Sequence, residues 1–322
     1  MPRGWEMKKT KINHISMFLV LILCGCSSSA KVPVDLYVAE TIAAMDLEAT
    51  YAAEHSTPEL TGGDSPFGEF TLNRAVTVAE SMVYDTDQVR ITVKSLNFGH
   101  SLNPELLFMV ENNSDNELSL RALDMQINRF MMTGVFDSSI PARSSKNVAL
   151  RINYDDLVAS GVETIQYFEF SLAIDESQTW SQSITTERIR VISSADPSSV
   201  LSLEREGTLL MEHEGIRLSI LRDENPNYDT GARFFILAEN NTDIDIQLSM
   251  LGLQVNGHEM TPSYSTKLLA GMKSVKELTF VESQLIAHDI HRIDRLSYRL
   301  EATRKDNSEI LFNSGLIESN FD

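Results

Sequence analysis

The strongest constraint on this chain is that it contains the same passage twice. Leu106-Leu107-Phe108-Met109-Val110-Glu111-Asn112-Asn113-Ser114-Asp115 returns 128 residues later as Phe234-Phe235-Ile236-Leu237-Ala238-Glu239-Asn240-Asn241-Thr242-Asp243. At the same offset Met125-Gln126-Ile127-Asn128 meets Leu253-Gln254-Val255-Asn256, Met132-Thr133 meets Met260-Thr261, and Phe168, Phe170 and Leu172 meet Leu296, Tyr298 and Leu300. Upstream, Val89-Arg90-Ile91-Thr92-Val93 pairs with Ile216-Arg217-Leu218-Ser219-Ile220 at an offset of 127, so one residue was gained or lost in a loop. Self-similarity at a fixed period marks a duplicated structural unit. The chain of 322 residues therefore divides into two copies, 74–193 and 204–322, preceded by a region with no counterpart.

Each copy reads as strands. Val89, Ile91 and Val93 alternate with Arg90, Thr92 and Lys94, and Phe168, Phe170 and Leu172 alternate in the same way. That period of two puts one face on a core and the other in water. Glu-Asn-Asn-Ser-Asp is a turn signal, since asparagine tolerates left-handed backbone. Asn256-Gly257 predicts a hairpin turn; the first copy has Asn128-Arg129 there, which leaves its turn geometry open. Short helices are expected only at Tyr154 to Ser160 and Ser283 to His288, capped by Asp155 and Ser283. The fold class is mainly β: two tandem antiparallel β-sandwich domains, each of about seven short strands.

The region before the copies has its own pattern. Met7-Lys8-Lys9-Thr10-Lys11 is positive, and Ile15 to Leu23 is apolar apart from Ser16. That run is far shorter than the roughly 20 residues a membrane-spanning helix needs, and reads as the core of a signal peptide over 1–25. Residues 26–73 form a tether. Within it Val34, Val38, Ile42 and Met45 share one helical face, which predicts a helix over 34–54. Pro58, Gly62, Gly63, Pro66 and Gly68 then punctuate the chain.

Leu23-Cys24-Gly25-Cys26 resembles the lipobox of bacterial lipoproteins, in which a small residue precedes the cysteine that receives lipid before the leader is removed. The resemblance implies lipid attachment at Cys26 and an extracytoplasmic protein anchored at the cell membrane or outer membrane. Ser27 follows the cysteine in place of the aspartate that retains such proteins at the inner membrane. Two acyl chains anchor stably where one does not. The cadence of the copies, from about Arg74 onward, is similar to tandem immunoglobulin-like domains of uncharacterised Gram-positive surface lipoproteins. That implies a fold and a location but no activity.

Charge and motif content narrow the function. The leader carries a net +3, which leaves −22 on residues 26–322 against −19 for the whole chain. Such a surface repels phosphate backbones, so nucleic acid is not expected as a partner. Both cysteines, Cys24 and Cys26, lie at the leader, so the copies hold no disulfide or thiolate site. Hydrolase elbows, His-Glu-x-x-His and phosphate-binding glycine loops are absent from the sequence. Polar residues kept in both copies are Glu111/Glu239, Asn112/Asn240, Asn113/Asn241, Asp115/Asp243, Gln126/Gln254, Asn128/Asn256 and Thr133/Thr261. They look like turn and strand-edge residues and contain no nucleophile and base.

Weaker candidates remain, each with a plainer reading beside it. His288 and His291 would share a face if helical, as half of a metal site; the plainer reading is a solvated turn. Asn241, Asp243 and Asp245, or Asp223 to Asp229, offer oxygens to calcium without the usual loop spacing, against a hydrated turn. Trp180 and Tyr228 are possible platforms for sugars, against packing roles. The sequence therefore predicts no enzyme, cofactor or metal, and a non-catalytic binding or structural role with a protein or glycan ligand not identified by any motif. The alternatives are a hydrolytic enzyme with its site between the copies, His288 or His291 meeting Asp155, and an accessory subunit of a transporter or envelope-assembly complex.

Overall fold

The computed structural model describes residues 67, 69–99, 103–137, 139–176, 183–199, 201–202, 207–227, 231–261 and 264–321. The expected signal peptide, Cys26 and the expected helix at 34–54 lie outside the described residues, as do Trp180, Tyr228 and Asp229. The protein is mainly β, built from antiparallel sheets, and the two copies have matching elements. Repeat 1 contains β1 (Ser81–Asp85), β2 (Val89–Asn97), β3 (Glu105–Asn112), β4 (Leu118–Ile127), β5 (Phe130–Met131), β6 (Gly134–Phe136), β7 (Ser144–Ile152), α1 (Tyr154–Ser160), β8 (Tyr167–Glu176), β9 (Ser183–Thr185) and β10 (Ile189–Ile192). Repeat 2 contains β11 (Thr208–His213), β12 (Ile216–Asn227), β13 (Gly231–Asn240), β14 (Ile246–Val255), β15 (His258–Glu259), β16 (Tyr264–Leu268), β17 (Lys273–Phe280), α2 (Glu282–Ala287), β18 (Arg295–Arg304), β19 (Ile310–Asn313) and β20 (Ile317–Asn320).

Alternation of apolar residues drives two layers together in each repeat. In repeat 1 the sheet β1-β2-β3-β7-β6 faces β10-β8-β4-β5. Ile91, Phe108, Val110 and Leu150 from one layer and Leu120, Ile127, Phe168 and Leu172 from the other form a single core. The Phe108 and Phe170 rings meet edge to face at 6.2 Å across it. Repeat 2 builds a second core from Leu218, Phe234, Ile236 and Leu278 against Leu248, Val255, Leu296 and Leu300. Both are two-layer β-sandwiches, as the strand pattern implied.

The repeats differ at one strand. In repeat 1, β6 closes the edge of β7, with Gly134 opposite Ile152. In repeat 2 all of β16 pairs with β14 in the other layer, as far as Met250 opposite Tyr264, where the described residues of repeat 1 make just the matching bridge of Leu118 with Ile140. At the other end of the strand that matches β7, Lys273 of β17 pairs in parallel with Phe130 of β5 in repeat 1; the matching residue of β7, Ser145, lies outside the part of the edge that β6 covers. One sheet consequently runs through both sandwiches, β10-β8-β4-β5-β17-β13-β12-β11.

Two local expectations are corrected. Asn112, Asn113, Asn240 and Asn241 do not adopt left-handed backbone; their turns are held by side chains instead. The helices sit where expected, but neither Asp155 nor Ser283 caps them. The Asn153 side chain accepts from Asp155 N at the start of α1, and the equivalent residue at the start of α2 is Val281, which makes no side-chain cap. The open question at Asn128-Arg129 has an answer: φ is 50° and 73°, against 50° and 87° at Asn256-Gly257, so both hairpins turn through two left-handed residues.

Candidate functional site

Several of the polar residues kept in both copies are explained by bonds inside each sandwich, while Gln126 Oε1 is buried without a hydrogen-bond partner. Asn112 is buried at the end of β3, and its Nδ2 donates to the carbonyls of Asn116 at 2.8 Å, Pro141 at 2.9 Å and Ile140 at 3.2 Å. Its Oδ1 accepts from Ser114 N and Oγ at 3.0 and 2.7 Å. Asn240 repeats the arrangement with Ile244, Leu269 and Leu268 at 2.8, 3.0 and 3.3 Å and with Thr242 N and Oγ1 at 3.1 and 2.6 Å. Asn128 ties its hairpin to Thr164 O and Gln166 N, and Asn256 does the same to Arg292 O and Asp294 N. Glu239 lies 2.7 Å from Lys273 and 3.8 Å from Arg217; Glu111 faces Arg90 at 3.7 Å. Asp115 pairs with Arg143 at 2.9 Å. Thr133 N donates to Asp156 of α1 at 3.0 Å, and Thr261 meets Gln284 of α2.

The remaining sequence candidates do not converge. The helix ends at Ala287, so His288 and His291 are not placed on one helical face. The His288 ring stacks on His258 at 4.6 Å, and His291 Nε2 lies 2.9 Å from Asp289. Asp155 is on the exposed first turn of α1 in the other repeat. Asp245 accepts from Ala270 N at 2.9 Å and faces Lys305 at 3.6 Å, which gives its carboxylate cationic company in place of a metal. Among the described residues no group of three or more His, Cys, Asp or Glu is placed to hold a metal ion. The side chains from Asp223 to Asn227 lie outside the described residues.

Sequence reading missed the junction between the repeats, where charge and apolar surface meet. Asp124, at a bulge of β4, contacts Lys267 of β16 and sits 2.6 Å from Lys305, which follows β18. Burial pushes the Asp124 carboxyl up, but hydrogen bonds and charge from Lys267 and Lys305 outweigh it and hold it below the usual carboxylate range. For the ammoniums the balance splits: burial and the neighbouring Lys305 pull Lys267 down despite Asp124, while Asp124 and Asp245 hold Lys305 above its ordinary value. Arg129 Nη2 and Nε donate to Gly271 O at 2.7 and 3.2 Å, and Lys273 N donates to Arg129 O at 2.9 Å.

Beside these contacts Phe235 and Val275 of repeat 2 join the core of repeat 1, with Leu221 and Leu237 packed against it. Phe67 meets Phe235 edge to face at 4.8 Å. In return Met131 of repeat 1 packs against the core of repeat 2. The segment joining the repeats is held as well: Ser194 N donates to Thr77 O at 2.7 Å, and Asn128 Nδ2 reaches Leu201 O at 2.8 Å. Chemically the junction is a paired charge cluster beside an apolar seam. It holds surfaces together and aligns no nucleophile with a base.

Comparison with known proteins adds no family. No family model and no curated protein matches the chain. Among solved structures, a conserved domain protein from Bacillus anthracis aligns at 10% identity and a TM-score of 0.27 over 82% of this chain and 94% of that one. The periplasmic chaperone SfaE aligns at 12% identity and a TM-score of 0.19 over 65% of this chain and 88% of that one. At such scores neither carries an argument about function.

Proposed function

We propose that this protein is a lipid-anchored, extracytoplasmic component of the cell envelope whose two sandwiches do binding or structural work without catalysis. The observation that carries the reading is that three of the polar pairs kept through the duplication are used inside the fold. Asn112 and Asn240 staple strand to turn, Asn128 and Asn256 staple the hairpins, and Glu111 and Glu239 pair across strands. A duplicated catalyst would keep its reacting groups in at least one copy as a convergent set. The anchor rests on the leader and Cys26, and two acyl chains there would hold the protein stably on its membrane. No helix among the described residues is long and apolar enough to cross a membrane. The strongly acidic surface favours cationic or neutral partners over nucleic acid.

The test uses the full chain expressed in a bacterial host with its leader intact. Wild type should enter the detergent phase on partitioning and Cys26→Ala should remain in the aqueous phase. Equal partitioning of both into the aqueous phase rejects the anchor. Turnover of any hydrolase substrate that a single polar substitution abolishes rejects the non-catalytic reading.

A further inference from the structure

Matching positions in the two repeats expose a pattern that neither repeat shows alone. At five described places the backbone of both copies is left-handed: 128/256 is asparagine in both, 161/289 has glycine in repeat 1, and at the other three repeat 2 has glycine, Gly252, Gly257 and Gly271, with φ of 60°, 87° and 70°. Repeat 1 has Asp124, Arg129 and Arg143 there, with φ of 54°, 73° and 52°. Glycine adopts this conformation freely, while the Cβ of any other residue crowds the following carbonyl oxygen in it, a strain that aspartate tolerates better than arginine. Local stability therefore favours glycine at each site, and something beyond the local backbone must hold the charged residues in place.

For two of the three, that something is the other repeat. Asp124 reaches Lys267 and Lys305, and Arg129 reaches Gly271 O, across sequence separations of 143, 181 and 142 residues. Arg143, the third, pairs within its own repeat with Asp115. The partners follow the same logic. Counted back by 128, Lys267 and Lys305 correspond to Ser139 and Ser177, so the carboxylate and both ammoniums occur only on the two surfaces that meet. The pairing of β5 with β17, Phe130 beside Lys273, places Arg129 against Gly271.

We infer that Asp124 and Arg129 form an inter-repeat latch, which locks the two sandwiches at one mutual angle so that they unfold and act as a single body. The inference is independent of lipid attachment at Cys26. It gives the tandem a fixed geometry for presenting its surfaces, where an unlatched pair would behave as two beads on a linker.

Glycine replacement separates the latch from local packing because the two predict opposite signs. In the full chain, Asp124→Gly with Arg129→Gly relieves two strained residues, so an effect confined to the backbone leaves the melting transition unchanged or raises it. A latch predicts instead that the single calorimetric transition splits in two, that protease cleavage between Ser194 and Gly207 accelerates at least tenfold, and that the scattering radius of gyration rises. Lys267→Gln with Lys305→Gln removes the partners of Asp124 without touching its backbone and should reproduce the accelerated cleavage. A single transition at the same or higher temperature with unchanged cleavage in the glycine pair overturns the latch, and so does unchanged cleavage in the glutamine pair.

Discussion

Repeat 1 and repeat 2 share an ancestor's core and turns, yet the same positions now face different surroundings. The last turn of α1 is buried: Val158 is 8% exposed, with Ala159 and Ser160 also buried. The matching end of α2 is open, and Ile286 is 58% exposed. Met131 of repeat 1 packs on the core of repeat 2, while its counterpart Glu259 lines an open groove with Gln254 and Arg299. The end of α1 and Met131 are thus covered in repeat 1, while the equivalent positions of repeat 2 stay open. The comparison teaches that duplication copied the sandwich, and divergence at a few surface positions then joined the copies.

The largest expected effect tests what stayed the same. Asn112→Ala and Asn240→Ala each remove the buried amide that ties strand to turn and take the acceptor from Ser114 N or Thr242 N. Carbonyls such as Ile140 O and Leu269 O keep a second donor, so each substitution should cost about 2 kcal/mol in urea unfolding. The two losses should agree within about 1 kcal/mol, because the staples match atom for atom; a loss under about 1 kcal/mol at either site breaks the equivalence. The helix starts test what changed. Asn153→Ala should destabilise by about 1 kcal/mol, whereas Val281→Asn should stabilise by about 1 kcal/mol by supplying the cap that α2 lacks. Equal signs for the two would contradict the caps described above. A similar contrast holds at the helix ends, where Gly161 has φ of 67° and Asp289 has φ of 55°. Asp289→Gly should stabilise by about 0.5 kcal/mol and Gly161→Ala should destabilise by about 1 kcal/mol, both read as shifts in denaturation midpoint.

The smallest effects are in the pH dependence, and two aspartates of repeat 1 should oppose each other. Asp124 is held below the ordinary carboxylate range by its two lysines. Its contribution is present above about pH 4, the unfolded value, and is lost as pH falls through the depressed folded value. Burial pushes the Asp156 carboxyl up despite its hydrogen bonds from Thr133. The native state then favours the protonated form, so Asp156 counts against stability as pH rises through the raised value. Repeat 2 carries the neutral Gln284 at this position. Asp156→Asn should therefore stabilise at pH 7 relative to wild type and change little at pH 3, as followed by thermal melts at both. Asp124→Asn should destabilise at pH 7 and do so less at pH 3. If Asp156→Asn destabilises more at pH 7 than at pH 3, the assigned direction is wrong.

Much of the fold is legible from residues alone, since alternation such as Phe168, Phe170, Leu172 fixes which face is buried wherever one face meets a core. The kept asparagines were also visible, but their work was not. Asn112 looks like a left-handed turn residue in sequence, and only the approach of Ile140 and Pro141 shows that its amide is a staple. The candidate site was the least visible. Asp124, Arg129, Lys267 and Lys305 resemble ordinary surface charges, and the one signal that pointed to them was the loss of glycine at two positions where the other copy keeps it.

The sequence by itself determined the repeat, the strand-rich sandwiches, the two short helices and the hairpin at Asn256-Gly257, because periodicity and turn chemistry act over a few neighbouring residues. The tertiary structure alone decided that all of β16 pairs with β14, that β5 joins the edge of β17 at Lys273, and that Asp124 meets lysines 143 and 181 residues away. Those choices depend on which edges and surfaces remain unfilled after each sandwich has closed on its core, a competition among distant parts of the chain that no local pattern records.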